Sequence, residues 1–284
     1  MISAYCITQN LDRISIQKAF EEVNLKSLDQ ANRLIPEGVY TTFRTFEKFY
    51  VLDLEGHFDR LEGSARLLGR AFELNRQAIR QALRELLKNF PAEEARVRIS
   101  IPLTNENQNM LQIYIFLEKL AIPSLHDYQN GVRVITIRMQ RENPAAKSTT
   151  FIHKADEIRQ KLPNDINEVV MVDENGRMLE GLSSNFFAVK DGTIFTDDQH
   201  VLAGITRKQV LEIIQELAIP LRYEGFPYAE LGTLDEAFLT STSRGVLPVR
   251  QIDDQIINRV AVGEMTKKIM EQYQIKVKNT VQPI

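Results

Sequence analysis

Four short stretches of this 284-residue chain hold residue types that demanding chemistry uses. Lys147 follows Pro144-Ala145-Ala146 and precedes Ser148-Thr149-Thr150. An amine held among such small residues, with its pKa lowered by desolvation or a nearby cation, is a Schiff-base nucleophile. Lys154 competes for that role, and a solvated charge is the ordinary use of either lysine. Glu180 ends a strand-like run and is followed by Gly181, Ser183, Ser184 and Asn185. A carboxylate placed so can face a pocket, and one that meets a pyridine nitrogen keeps it protonated, as an electron-sink cofactor requires. The third stretch is Gly204-Ile205-Thr206-Arg207, with Val210, Leu211, Ile214 and Leu217 forming a helical apolar face behind it. Thr206 and Gln209 have capping-box spacing. A helix start after a glycine offers unpaired N–H groups and the positive end of the dipole to a phosphate, though plain capping has the same signature. The fourth is Thr240-Ser241-Thr242-Ser243 ahead of Gly245, a run that could form an anion nest or a solvated turn.

The elements that must position these groups follow from pattern. Residues 38–46 and 48–52 read as a hairpin rich in β-branched and aromatic residues. From His57 the period changes: Phe58, Leu61, Ala65, Leu68 and Phe72 form one helix face, with Arg60 near its edge. A second helix is expected from an Asn75 N-cap to Phe90, where Pro91 stops it. Strands at 95–101 and 110–117, joined by the polar stretch 104–109, complete a β-β-α-α-β-β first half. Residues 123–131 are polar and without periodicity and read as a linker between domains 1–122 and 132–284. The second half shows a strand at 132–137, a short helix at 152–162 and hairpins turning at 173–176 and at Asp191-Gly192. A helix at 206–217 and a strand at 236–240 follow. The fold class is α+β, a small N-terminal α/β sandwich and a larger barrel-like mixed sheet with helices.

Composition excludes several functions. With 35 Lys+Arg against 38 Asp+Glu, the chain lacks a basic nucleic-acid footprint. Its middle apolar run, Ile113 to Leu117, is far shorter than the ~20 residues that span a bilayer. One cysteine, Cys6, allows no intramolecular disulfide, and four scattered histidines offer no metal site. A cytoplasmic protein without membrane, nucleic-acid or metal partners is expected.

Taken in order, Gly38-Val39-Tyr40, His57-Phe58-Asp59-Arg60-Leu61, Lys147, Glu180-Gly181-Leu182-Ser183-Ser184-Asn185, Gly204-Ile205-Thr206-Arg207 and Ser241-Thr242 through Pro248-Val249 resemble the class IV aminotransferases, the fold-type IV pyridoxal-phosphate enzymes. The resemblance spans about residues 35–255. It implies pyridoxal 5'-phosphate as cofactor, amino-acid and keto-acid substrates, and a homodimer. It implies Lys147 as Schiff-base lysine and proton shuttle, and Glu180 as partner of the pyridine nitrogen. Ser184 and Asn185 join the cofactor set, and Arg60, Gly204, Ile205, Thr206, Ser241 and Thr242 surround the phosphate. Tyr40 matches a residue lining the substrate pocket; Ser243, Arg44 and Arg98 are further substrate-side candidates, either arginine suiting a carboxylate. Branched-chain transamination is the leading expectation, with aminodeoxychorismate lyase or D-amino-acid transaminase as the alternative and an inactive binding homologue as a remote one. Thr149, Thr150, Phe151 and Ile152 stand where relatives commonly carry asparagine or tyrosine. Pro102-Leu103-Thr104 replaces the Arg-Gly pair associated with D-amino-acid transaminases and the lyases.

Overall fold

Alternation and helical periodicity sort the chain into sixteen strands, seven α-helices and a 3-10 helix among the described residues, 2–9, 14–19, 25, 27–104, 110–257 and 262–284 of a computed structural model. The first part runs β1 (Ile2–Gln9), β2 (Ile14–Lys18), α1 (Leu28–Asn32), β3 (Gly38–Arg44), β4 (Tyr50–Val51), α2 (Leu54–Leu67), α3 (Arg76–Lys88), β5 (Ala95–Pro102) and β6 (Leu111–Lys119). Then come α4 (Leu125–Asn130), β7 (Val132–Arg138), α5 (Thr149–Arg159), β8 (Ile166–Val172), β9 (Met178–Gly181), β10 (Asn185–Lys190) and β11 (Thr193–Phe195). The last part is α6 (Ile205–Glu216), β12 (Leu221–Arg222), the 3-10 helix (Tyr228–Thr233), β13 (Glu236–Ser241), β14 (Gly245–Ile252), β15 (Gln255–Ile256), α7 (Glu264–Thr280) and β16 (Gln282–Pro283). Of the expected 104–109 connection, residues 105–109 lie outside the described set. No described helix is long and apolar enough to cross a membrane.

Two compact units emerge: Met1–Ala121 with Ala146–Gln160 and Thr280–Ile284, and Ile122–Ala145 with Lys161–Asn279. Lys147 and α5 thus cluster with the first unit, although they follow the expected linker in sequence. That linker is itself structured. Ser124 and Asp127 form a reciprocal capping box that starts α4, which is six residues long and too short to display a period.

In the first unit an antiparallel sheet has the order β2-β1-β6-β5-β3. One face packs on α2 and α3: Phe58, Leu61 and Ala65, with Ile79, Leu83 and Leu87, meet Val39, Phe43, Val97, Ile99 and Ile115. Helix α2 begins before His57, because Asp53 accepts a hydrogen bond from the Gly56 amide at 3.0 Å. Asn75 caps α3 through the Ala78 amide at 3.1 Å. The expected hairpin after β3 narrows to a single bridge, Phe46 to Tyr50, while β4 pairs with β16.

In the second unit β7 runs parallel to both β14 and β8, and the other pairings of the mixed sheet are antiparallel apart from β11 with β12. Its strands follow β12-β11-β10-β13-β14-β7-β8-β9, and β9 pairs again with β10. One register pair, Asn185 opposite Glu180, closes six strands into a ring. Val134, Val170, Phe186, Leu239 and Leu247 fill the cluster within this unit. Asp191 and Gly192, with φ of 50° and 71°, turn β10 into β11 as the Asp-Gly signal predicts.

Strand β3 is the sheet's edge, and residues 147–149 cover it. Val39 bridges Ser148, and the Gly38 amide donates to Thr149 Oγ1 at 2.8 Å. A Cβ at Gly38 would run into the Ile101 carbonyl of β5. Gly38→Ala is therefore expected to cost about 1–3 kcal/mol in urea unfolding through overpacking.

Candidate active site

Lys147 is positioned by main chain. Its carbonyl accepts the Tyr40 N–H at 3.0 Å, and its own N–H donates to Ser64 Oγ of α2 at 3.0 Å. The ammonium lies 4.6 Å from the centre of the Tyr40 ring. Lys154, the competing lysine, is exposed on α5. Lys147 and Tyr40 therefore come together as expected, and Lys154 points to water.

Arg98 joins the same ring, its guanidinium carbon 4.9 Å from the Tyr40 centroid. Expected to be available to a substrate carboxylate, it is only 3 % exposed and bound to Asp29 at 2.8 Å and to Thr42 at 3.2 Å. Asp29 is also 2.9 Å from Arg159. Burial opposes its charge, yet the Arg98 and Arg159 cations prevail and hold its carboxyl below the usual range. Arg44, the other candidate, lies on the Phe46 ring and bonds Glu94 at 2.6 Å. Both arginines thus already hold carboxylates of the chain itself.

Arg60 projects from α2 onto β3, where Nη2 donates to Thr41 Oγ1 at 2.8 Å and lies 3.3 Å from His57 Nδ1. His57 is fully buried. Burial, with the Arg60 and Lys147 cations, pushes its pKa well below 6.5.

The second unit brings Glu180, Asn185 and the start of α6 together. Glu180 is 1 % exposed; Oε1 meets Arg141 Nε at 2.9 Å, and Oε2 accepts from Asn185 Nδ2 and the Leu202 amide, both at 3.2 Å. Asn185 also donates to the Leu202 carbonyl at 2.8 Å. Gly204 lies so close to Asn185 Oδ1 that a Cβ could not fit between them. The expected Thr206/Gln209 capping box does not form, because Gly204 is the N-cap and Thr206 falls inside the first turn with Ile205. The Thr206 hydroxyl is consequently buried with no hydrogen-bond partner, and so is that of Thr240, which faces Asn185 across the β10–β13 ladder.

Beyond Thr240 the hydroxyl run forms a turn that Arg244 braces. Arg244 donates to Ser241 Oγ at 3.0 Å, to Asn167 at 2.9 Å and to Glu168 at 2.8 Å. Glu168, 2 % exposed, also accepts from Ser183 and Ser184. Ser184 therefore turns its hydroxyl to Glu168, at 3.0 Å, and serves the expected cofactor set only through that brace. Thr242 and Ser243 are half-buried in the braced turn. Sequence reasoning missed Arg141, Arg244, Glu168, His57 and Thr41 as site residues. The signal lay in charge arithmetic: Glu180 in a buried strand end demands a cation, but Arg141 sits in an aperiodic stretch.

Within the second unit, a buried carboxylate and a helix start with an orphan hydroxyl suit the ring nitrogen and the phosphate of a pyridine phosphate ester. No group of histidine, cysteine and acidic residues suited to a metal occurs among the described residues.

Comparison with known proteins agrees with this chemistry. The family model for amino-transferase class IV matches residues 38–252. The branched-chain-amino-acid aminotransferase of Pseudomonas aeruginosa is 27 % identical over 253 residues, 83 % of this chain and 82 % of that protein. The aminodeoxychorismate lyase of Bacillus subtilis is 26 % identical over 260 residues, 86 % and 87 % of the two chains. The crystal structure of the T.th. branched-chain amino acid aminotransferase with pyridoxamine 5'-phosphate shares the fold, with a TM-score of 0.78 and 20 % identity over 99 % of this chain and 98 % of that one.

Two outcomes follow from the buried charges. Arg141→Leu leaves the Glu180 carboxylate without its cation and should cost about 3–5 kcal/mol in urea unfolding, most of it recovered in Arg141→Leu/Glu180→Leu. His57, neutral when folded, titrates near 6.5 when unfolded. Stability is then complete above pH 6.5 and declines below it by at most about 1.36 kcal/mol per pH unit. His57→Phe should remove that component from the difference between wild-type and variant pH profiles.

Proposed function

The chain belongs to the class IV aminotransferases, and from that membership we propose a pyridoxal-phosphate enzyme of the branched-chain type, moving an amino group between an L-amino acid such as leucine and a keto acid such as 2-oxoglutarate. The observation that carries the cofactor assignment is Glu180, a buried carboxylate fixed from both sides by Arg141 and Asn185. Bound pyridoxal 5'-phosphate supplies the electron sink that lets a Cα–H bond of an amino acid break.

The protein's own groups do the rest. Lys147 is the amine that would hold the cofactor, and once free it would serve as the base for the proton at substrate Cα. Its main chain is bonded to β3 and α2, so the amine arrives preoriented. Glu180 would keep a proton on the pyridine nitrogen, and Asn185, with Arg141, holds the Glu180 carboxylate in place. In the second unit the amides of Ile205 and Thr206, the orphan Thr206 hydroxyl and the Ser241–Thr242 turn would take phosphate oxygens, and Arg60 of the first unit is the arginine that the family resemblance assigns to the phosphate. Tyr40 flanks the amine, with Lys147 and Arg98 both near its ring, and Ser243 lies close in sequence to the phosphate turn. The branched-chain preference is supported by the Pseudomonas aeruginosa relative and by Pro102-Leu103 in place of an Arg-Gly pair. The Bacillus subtilis lyase, at nearly the same identity, supports the second reading, aminodeoxychorismate lyase.

Purified protein loaded with pyridoxal phosphate and given L-leucine, D-alanine or aminodeoxychorismate separates these readings. Turnover of L-leucine with 2-oxoglutarate is expected. Turnover of aminodeoxychorismate alone establishes the lyase instead. Lys147→Ala should lose about 10³-fold or more in turnover, while Lys154→Ala changes it little.

A further inference from the structure

We propose that Thr41 and His57 are positioning residues that aim the Arg60 guanidinium at a phosphate group. The inference rests on the assignment of Arg60 to the cofactor phosphate and extends it to two residues that touch neither phosphate nor substrate.

Three distances close a small triangle. Arg60 Nη2 is 2.8 Å from Thr41 Oγ1 and 3.3 Å from His57 Nδ1, and Thr41 Oγ1 is 2.7 Å from His57 Nδ1. His57 and Arg60 stand three residues apart on one face of α2, and Thr41 comes from the facing strand β3. Thr41 and His57 are both 0 % exposed. Water therefore cannot substitute for either partner.

Proton accounting fixes the direction of each bond. A guanidinium can only donate, so Thr41 Oγ1 accepts from Arg60. The threonine hydroxyl has one proton left to place, and the acceptor within reach is His57 Nδ1. Nδ1 must then be the unprotonated nitrogen, and the ring carries its proton on Nε2. The approach of Arg60 Nη2 to the same Nδ1 fits only that tautomer. Burial and the two nearby cations keep the ring neutral, which preserves the acceptor. The imidazole is itself wedged against Phe43, ring centres 5.3 Å apart, so it cannot swing away.

Each link thus constrains the next: Phe43 fixes the ring, the ring fixes the rotor of the Thr41 hydroxyl, and the hydroxyl fixes Nη2. A guanidinium is planar, so anchoring one amino group sets the plane in which its other donors lie. Each such bond removes rotamers from the arginine before a phosphate arrives, which lowers the ordering cost of binding. Packing alone does not call for this pair. An apolar pair of the same volume would fill the space as well, without leaving the buried His57 Nε2 unpartnered as it is here.

Apo protein of full length is titrated with pyridoxal 5'-phosphate and, separately, with pyridoxal, which has no phosphate. Thr41→Val and His57→Phe should each raise the Kd for pyridoxal phosphate about tenfold and leave that for pyridoxal within about twofold. Thr41→Ser should restore it. In an Arg60→Met background, Thr41→Val should have no further effect. Equal weakening of both ligands, or loss of pyridoxal-phosphate affinity that Thr41→Ser does not restore, makes the pair a packing feature and overturns the proposal. If Arg60→Met weakens pyridoxal phosphate selectively but Thr41→Val does not, the relay fails while the phosphate assignment stands. If Arg60→Met does not discriminate the two ligands, the assignment itself fails, and the relay with it. Should His57→Phe not fold, the Val/Ser pair at Thr41 decides alone.

Discussion

An edge strand exposes a row of N–H and C=O groups that must find partners, and in this protein the segment that partners the edge of β3 is the one that carries Lys147. The Tyr40 amide bonds the lysine's own carbonyl, and the Gly38 amide bonds a hydroxyl two residues further on. Each of these groups, left buried and unmade, would cost about 1–3 kcal/mol. The placement of Lys147 is therefore part of the folding free energy of the sheet, and loosening β3 releases the lysine's main chain. The same strand supplies Tyr40 under the amine and Thr41 beside Arg60.

A different constraint governs the second unit. Its ring closes through a single register pair, and one member of that pair is an acid whose charge cannot stay buried without compensation. Arg141 compensates Glu180, and Arg244 compensates Glu168 in the neighbouring strand. Two buried ion pairs contribute little net stability compared with apolar packing. Their effect is geometric. Arg141 and Asn185 leave Glu180 one orientation, and Arg244 ties the hydroxyl turn to β8 through Glu168 and Asn167.

Much of this is legible in the sequence, and the pattern of what is not is physical. Helices α2 and α3 announce themselves because thirteen or fourteen residues suffice to show a period, and the Asp191-Gly192 turn because its positive φ values restrict residue type. Helix α4 stays hidden because six residues cannot display a face. At the start of α6 the spacing of Thr206 and Gln209 suggests a box, while Gly204, two residues earlier, is the actual cap. Lys147, Glu180 and Thr206 are identifiable only as a set, since each alone fits an unremarkable surface or cap. Arg44 and Arg98 are legible as charges but not as already paired, because Glu94 and Asp29 reach them from elements far away in sequence. Long-range pairing is what local pattern cannot encode.

The stretch after Lys147 shows how one segment serves two demands at once. The resemblance leads to an asparagine or tyrosine being expected in this stretch, whereas the chain has threonines and apolar residues. Thr149 accepts the Gly38 amide, and Ile152 is buried in the unit's interior. Thr149 is therefore committed to holding the lysine segment against β3. The lysine segment is thus held by the Tyr40 N–H on the Lys147 carbonyl and by the hydroxyls of Ser64 and Thr149, so its position depends on those two side chains as well as on the backbone.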